Sequence, residues 1–192
     1  MKQEFKAQGT SAGALAIAAL VLCAAFASPP VPSTPQATAN AFYARYLKYK
    51  VMGVPNNEMR ANFADVITPA LEKALARANT AEMNYAAATH NEVPPLLEGD
   101  PFSSLFEGAT GYTLKGCTVD GTTARCDVAM IYKDKLQEMT TNWTDTLVLV
   151  ESADLGWRVD DIVYGGEWAF GNKGQLTKVL NDVVAEAGSI SQ

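Results

Sequence analysis

From Thr141 to Phe170 the chain reads TNWTDTLVLVESADLGWRVDDIVYGGEWAF, and this stretch holds all three of its tryptophans. Its alternation predicts two strands joined by a tight turn. In the first, Trp143, Asp145, Leu147 and Leu149 share one face and Thr144, Thr146, Val148 and Val150 the other. In the second, strict alternation puts Trp157, Val159, Asp161 and Val163 on one face and Arg158, Asp160, Ile162 and Tyr164 on the other. Apolar residues on both faces imply a sheet curved around its own cover. The intervening Ser152–Gly156 segment has the Asp and Gly of a short hairpin loop. Gly165-Gly166 then breaks the strand, and Trp168 and Phe170 lay two aromatics back on the fold.

The rest of the chain reads as cover for this sheet. With 192 residues, 48% of them hydrophobic, one folded domain is the default. Residues 1–27 read as a secretory signal: Lys2 and Lys6 precede an apolar run from Ala12 to Ala25, and Ala25-Phe26-Ala27 offers a small-x-small cleavage pattern between Ala27 and Ser28. The rival reading lipidates Cys23, but Leu22 stands where that signal wants a small residue. Both readings place the domain outside the cytoplasm, periplasmic or secreted, with a membrane involved only through this segment. Residues 28–40, with four prolines, read as a linker, 41–188 as the folded domain and 189–192 as a frayed tail.

Ala41 to Met52 is expected to be helical, with Phe42, Tyr43, Tyr46 and Leu47 forming an aromatic stripe that belongs to the core. Asn56 or Asn57 caps a second helix. Thr68-Pro69, an N-cap followed by proline at the first helical position, starts a third that runs to about Ala88 with Leu71, Leu75 and Ala78 inward. The single histidine, His90, falls at that helix's end and faces solvent. A last helix is expected from about Gln175 to Glu186, with Leu176, Val179, Leu180, Val183 and Val184 inward.

Gly111 to Lys133 reads as a second hairpin. With Gly121-Thr122 at the centre of a type II′ turn, Cys117 directly opposes Cys126 at a non-hydrogen-bonded pair, which predicts a structural disulfide in an oxidising compartment. In LLEGDPFSSLFEG, residues 96–108, Asp100 and Pro101 suggest a cap and a short helical turn. Phe102, Leu105 and Phe106 then plug one end of the sheet. Glu98, Asp100 and Glu107 form a polar rim or a cation site; their spacing does not fit an EF-hand loop, and no metal or cofactor is expected.

The fold class that follows is α+β: N-terminal helices packed on a curved antiparallel sheet of about four strands, plus a C-terminal helix. That order resembles the cystatin-like, NTF2-like cone. The motifs D-P-F-S-S at Asp100–Ser104 (Ser103 within it), W-x-D at Trp143–Asp145, W-R-V-D-D-I-V-Y-G-G at Trp157–Gly166 and F-Y-x-x-Y-L at Phe42–Leu47 resemble a bacterial domain-of-unknown-function family of envelope proteins that includes the lipoprotein YbjP. The resemblance covers about Ala41 to Val184. It implies an envelope location and the cone fold, not a reaction. The chain departs from it at the weak lipidation signal around Cys23.

Composition narrows the function classes. A net charge of −6 without a Lys/Arg cluster to neutralise phosphates argues against nucleic acid. Adjacent Asp160 and Asp161 point to opposite faces on strict alternation and cannot act as a paired acid and base. Asp145, Arg158, Asp160 and Asp161, with Tyr164 as a donor, are expected to tie the sheet to the D-P-F-S-S turn and the Gly-Gly loop rather than to catalyse. The leading expectation is a non-catalytic domain that docks on an envelope protein, an immunity-type protein being one variant. Its surface would be the Trp168–Phe170 loop or the sheet's open side. A carrier or sensor of a small apolar ligand and a pocket-carboxylate enzyme are the alternatives.

Overall fold

Four strands, each hydrogen-bonded to the next in chain order, form one antiparallel sheet: β1 (Gly111–Asp120), β2 (Thr123–Asp134), β3 (Met139–Ser152) and β4 (Gly156–Val163). The structure is a computed structural model and describes residues 1, 34–134 and 136–190. The signal reading, with Cys23, Ala27 and Ser28, lies outside the described residues. Helices α1 (Pro35–Tyr49), α2 (Asn57–Ala61) and α3 (Pro69–Ala88) precede the sheet, and α4 (Leu176–Ile190) follows it. The architecture is the expected α+β arrangement of helices on a four-stranded antiparallel sheet. No helix among the described residues is long and apolar enough to cross a membrane.

The inner face of the sheet is built by alternation in β2 and, as expected, in β3: Cys126, Val128, Met130, Trp143, Leu147 and Leu149 are all buried. Helix α1 lays its aromatic stripe on that face. The rings of Phe42, Phe63 and Phe102 meet at centroid distances of 5.3–5.4 Å, with Tyr43 5.2 Å from Phe42. The core between helices and sheet is therefore filled by aromatic side chains. On β1–β2, Asp120 pairs with Thr123 around a turn with Gly121 at φ +57°. Cys117 and Cys126 are direct partners joined by a disulfide, with Cα atoms 4.0 Å apart, the close spacing of a non-hydrogen-bonded pair.

Five sequence readings need correction. Helix α1 begins at Pro35, inside the stretch read as linker, because Thr34 caps it by accepting from the Ala37 N–H at 3.1 Å. The helix ends at Tyr49 rather than Met52, with Lys50 in the left-handed region at φ +47°. Strict alternation fails in β4: Val148 pairs with Asp161 but Leu149 with Val159, so Asp160 is the extra residue of a bulge. The bulge puts Val159 and Ile162, both fully buried, on the same inner face and moves Asp161 to the other. The D-P-F-S-S segment forms no helical turn; Asp100 instead accepts from the Phe102 N–H two residues on, at 2.7 Å. Finally, α4 continues through Gly188 and Ser189 to Ile190, where a frayed tail was expected.

The free edge of β4 is extended by the segments entering α3 and α4. Ile67 bridges Val159 in parallel and Gln175 bridges Val163 antiparallel. Both helices thus start from the sheet edge.

Candidate functional site

Two loops, 96–108 and 165–174, meet over β3 and are held together by Asp145. This side chain is fully buried and accepts four hydrogen bonds. Its Oδ1 accepts from the Ser104 hydroxyl and from the Gly165 N–H at 2.9 Å; its Oδ2 accepts from the Ser104 N–H at 3.0 Å and from Trp143 Nε1 at 2.9 Å. Four donors match the lone-pair sites of a carboxylate and leave none for a substrate. The close approach of the loops depends on glycine: a Cβ on Gly165 would strike the Thr144 carbonyl, and one on Gly166 the Trp168 ring and Ser104. Gly166 N–H donates to Ser104 Oγ at 3.0 Å, closing the network.

Further cross-ties fix the same junction. The Tyr164 hydroxyl donates to the Pro101 carbonyl at 2.6 Å. Asn172 Nδ2 donates to the carbonyls of Asp100 and Ser103 at 2.6 and 2.8 Å, and its N–H to that of Ser104 at 3.0 Å. Trp168 packs edge-on against Trp143 at 5.3 Å.

Asp100, 3% exposed, sits one step further in. Burial pushes its pKa up to about 7, against the opposing pull of hydrogen bonds from the Tyr46 hydroxyl and the Phe102 N–H; the charge of Asp145 adds to the rise. Tyr46 accepts in turn from the Ala109 N–H at 2.5 Å, and burial, then the charge of Asp100, raises its own pKa. The Tyr43 hydroxyl is buried without a hydrogen-bond partner among the described residues, and burial raises the pKa of Tyr43 and Tyr164 as well. Asp100 borders a cleft of about 100 Å³ with Lys50, Glu107 and Tyr132. That volume is well below the several hundred Å³ of ordinary ligand sites.

The other polar candidates lie elsewhere, which corrects the expectation that they share this junction. Asp160 accepts from Thr68 Oγ1 at 2.7 Å, at the cap of α3. Asp161 accepts from the N–H and hydroxyl of Thr177 at 3.0 and 2.5 Å, in the first turn of α4. The two aspartates therefore anchor two different helices. Arg158 is buried, its pKa lowered by burial, and its Nη1 donates to the Trp157 carbonyl at 2.8 Å, which also accepts from Thr38.

At the surface, the two loops form a groove of about 520 Å³ lined by Glu98, Leu105, Phe106, Glu107, Trp168 and Phe170. A second depression of about 260 Å³ shares Glu98, Phe106 and Phe170 and adds Leu96 and Leu97. Phe170 is 89% exposed. Of the sequence candidates for docking, Phe106, Trp168 and Phe170 reach this groove, whereas Asp100, Phe102, Ser103 and Trp143 are buried, and Trp157 is buried at the other end of β4, opposite Glu151. Glu98 and Glu107 are exposed while Asp100 is interior, and no metal-holding group of side chains occurs among the described residues. Sequence reasoning missed Tyr46, Ser104 and Asn172 as members of the junction. Their partners lie 41–72 residues away, beyond any local pattern.

In comparisons with family models, curated proteins and solved structures, the chain matches none.

Proposed function

We propose that the chain is a non-catalytic accessory domain of the bacterial cell envelope that docks on a protein partner through the groove around Phe170. The observation that carries this reading is a phenylalanine 89% exposed on a loop that hydrogen bonds hold in place. An apolar side chain left in water on an anchored loop stabilises little in the free domain and is ready to be buried by a partner. The interior argues the same way. The space where a carrier would hold its ligand is occupied by Phe42, Tyr43, Phe63 and Phe102, and Asp145 has all its acceptor sites engaged within the protein. The envelope location is supported by the N-terminal signal pattern, the Cys117–Cys126 disulfide and the resemblance to envelope proteins in the D-P-F-S-S, W-x-D and W-R-V-D-D-I-V-Y-G-G motifs.

The test is affinity capture from detergent-solubilised envelope with the tagged full chain and its Phe170→Ala variant in parallel. A stoichiometric partner captured by the parent and lost with Phe170→Ala, then rebuilt from the two purified proteins, is the expected result. Capture that is indifferent to Phe170, or a small molecule co-purifying with no protein, overturns the reading.

A further inference from the structure

We infer that the groove around Phe170 selects a partner segment that carries a lysine or arginine between apolar side chains. The inference rests on the docking reading and adds the chemistry of the partner.

The groove is apolar in its walls and acidic at its rim. Phe106, Trp168 and Phe170 supply aromatic surface, while Glu98 and Glu107 stand exposed beside them. Among the described residues the ion pairs are Arg45–Asp65, Arg60–Glu72 and Lys178–Asp182, so neither rim glutamate is paired with any of these residues' cations. Lys50 borders the adjoining cleft on the Glu107 side, and Lys173 lies with Glu167 beyond the Gly-Gly loop; Glu98 has neither cation at its groove. Glu98 also lines both depressions, which places one unpaired carboxylate where they join.

Aromatic rings beside carboxylates suit one kind of side chain above others. A lysine or arginine lays its aliphatic stem on the rings while its charged head meets the carboxylate, and a cation near a ring face is further attracted by the ring's quadrupole. A glutamate or aspartate at that point is repelled by the rim, and the net charge of −6 extends the repulsion to acidic partners in general. The two depressions together, about 520 and 260 Å³ on either side of Phe170, seat several consecutive side chains. That extent favours a peptide segment over a lone small cation, which would fill one depression only.

The experiment uses the full chain labelled with 5-fluorotryptophan, whose three tryptophans give three fluorine resonances. The Trp168 signal is identified by its loss in Trp168→Phe. The probes are three capped pentapeptides, Leu-Phe-X-Leu-Phe, with X arginine, norleucine or glutamate, and choline chloride. The arginine peptide is expected to move the Trp168 resonance most, to shift Trp143 less through its edge-on contact with Trp168, and to leave Trp157, at the other end of β4, in place. Its affinity is expected to exceed that of the norleucine peptide about tenfold, with the glutamate peptide weakest. The double variant Glu98→Gln with Glu107→Gln should erase that preference and leave norleucine-peptide binding unchanged.

Equal binding of the arginine and norleucine peptides overturns the cation inference while leaving the groove as a docking surface. A choline response equal to that of the arginine peptide overturns the commitment to a peptide segment. If no peptide moves Trp168 the inference falls, and the capture experiment with Phe170→Ala then decides separately whether the docking reading falls with it.

Discussion

Asp100 and Asp145 are two carboxylates at the same junction, nearly equal in burial and opposite in how they are satisfied. Asp145 receives four donors from two loops and an indole. Asp100 receives the Phe102 N–H and the Tyr46 hydroxyl, and burial outweighs them, leaving its pKa near 7. Burial alone therefore does not decide what an interior acid does; the number of donors aimed at it does. One acid is a structural knot. The other is a group whose charge changes near neutral pH.

The largest effect should come from cutting the knot. Asp145→Ala leaves the Ser104, Trp143 and Gly165 donors buried without an acceptor, and a loss of about 4 kcal/mol or more is expected in urea unfolding followed by tryptophan fluorescence. Asp160→Ala, which removes the acceptor of the Thr68 hydroxyl at the α3 cap, should cost about 1 kcal/mol. Comparable losses for the two variants would break the distinction between a saturated hub and a single tie.

Asp100 should reveal itself through pH. Its folded pKa, about 7, lies above the unfolded value near 3.8, so the folded state holds the proton more tightly. The stability contributed by the neutral acid is complete below about pH 4 and is lost as pH rises through 7. Relative to Asp100→Asn, which has no such proton, the parent is expected to lose on the order of 3 kcal/mol between pH 4 and pH 8. A parent-minus-variant difference that stays flat across that range would show that Asp100 titrates like any surface acid.

These contrasts also mark what was legible in the sequence. The alternation of β3, the Cys117–Cys126 register and the Thr68-Pro69 start of α3 are local patterns, and each carries its own geometry. The bulge at Asp160 was not legible, because one extra residue leaves both strict phases equally consistent with Val159 and Ile162 being apolar. Thr34-Pro35 has the same cap-and-proline form as Thr68-Pro69, yet the neighbouring prolines made the whole stretch read as linker. At the junction, Asp145 was legible as an inward acid from its alternation with Trp143. Its donors were not, since Ser104 and Gly165 come from loops whose approach depends on tertiary packing.

Tyr46→Phe sharpens the comparison at smaller cost. It removes one of the two donors to Asp100 and the acceptor of the Ala109 N–H. Because the Tyr46 hydrogen bond holds the Asp100 pKa down, its loss should move the pH-dependent step to higher pH and lower stability at pH 8 by about 1 kcal/mol. An unmoved step would mean that the Phe102 N–H alone holds the charge.

The smallest effect expected on folding belongs to Phe170. Its loop is fixed by the Asn172 bonds to the Asp100 and Ser103 carbonyls, not by its own ring, which is 89% exposed. Phe170→Ala should therefore change stability by no more than about 0.5 kcal/mol while abolishing partner capture. Buried Asp145 behaves in the reverse sense, costly to fold without and out of a partner's reach. A loss above about 1 kcal/mol for Phe170→Ala would mean that the ring closes over Phe106 and Leu97 in solution, making it part of the core rather than the surface that meets a partner.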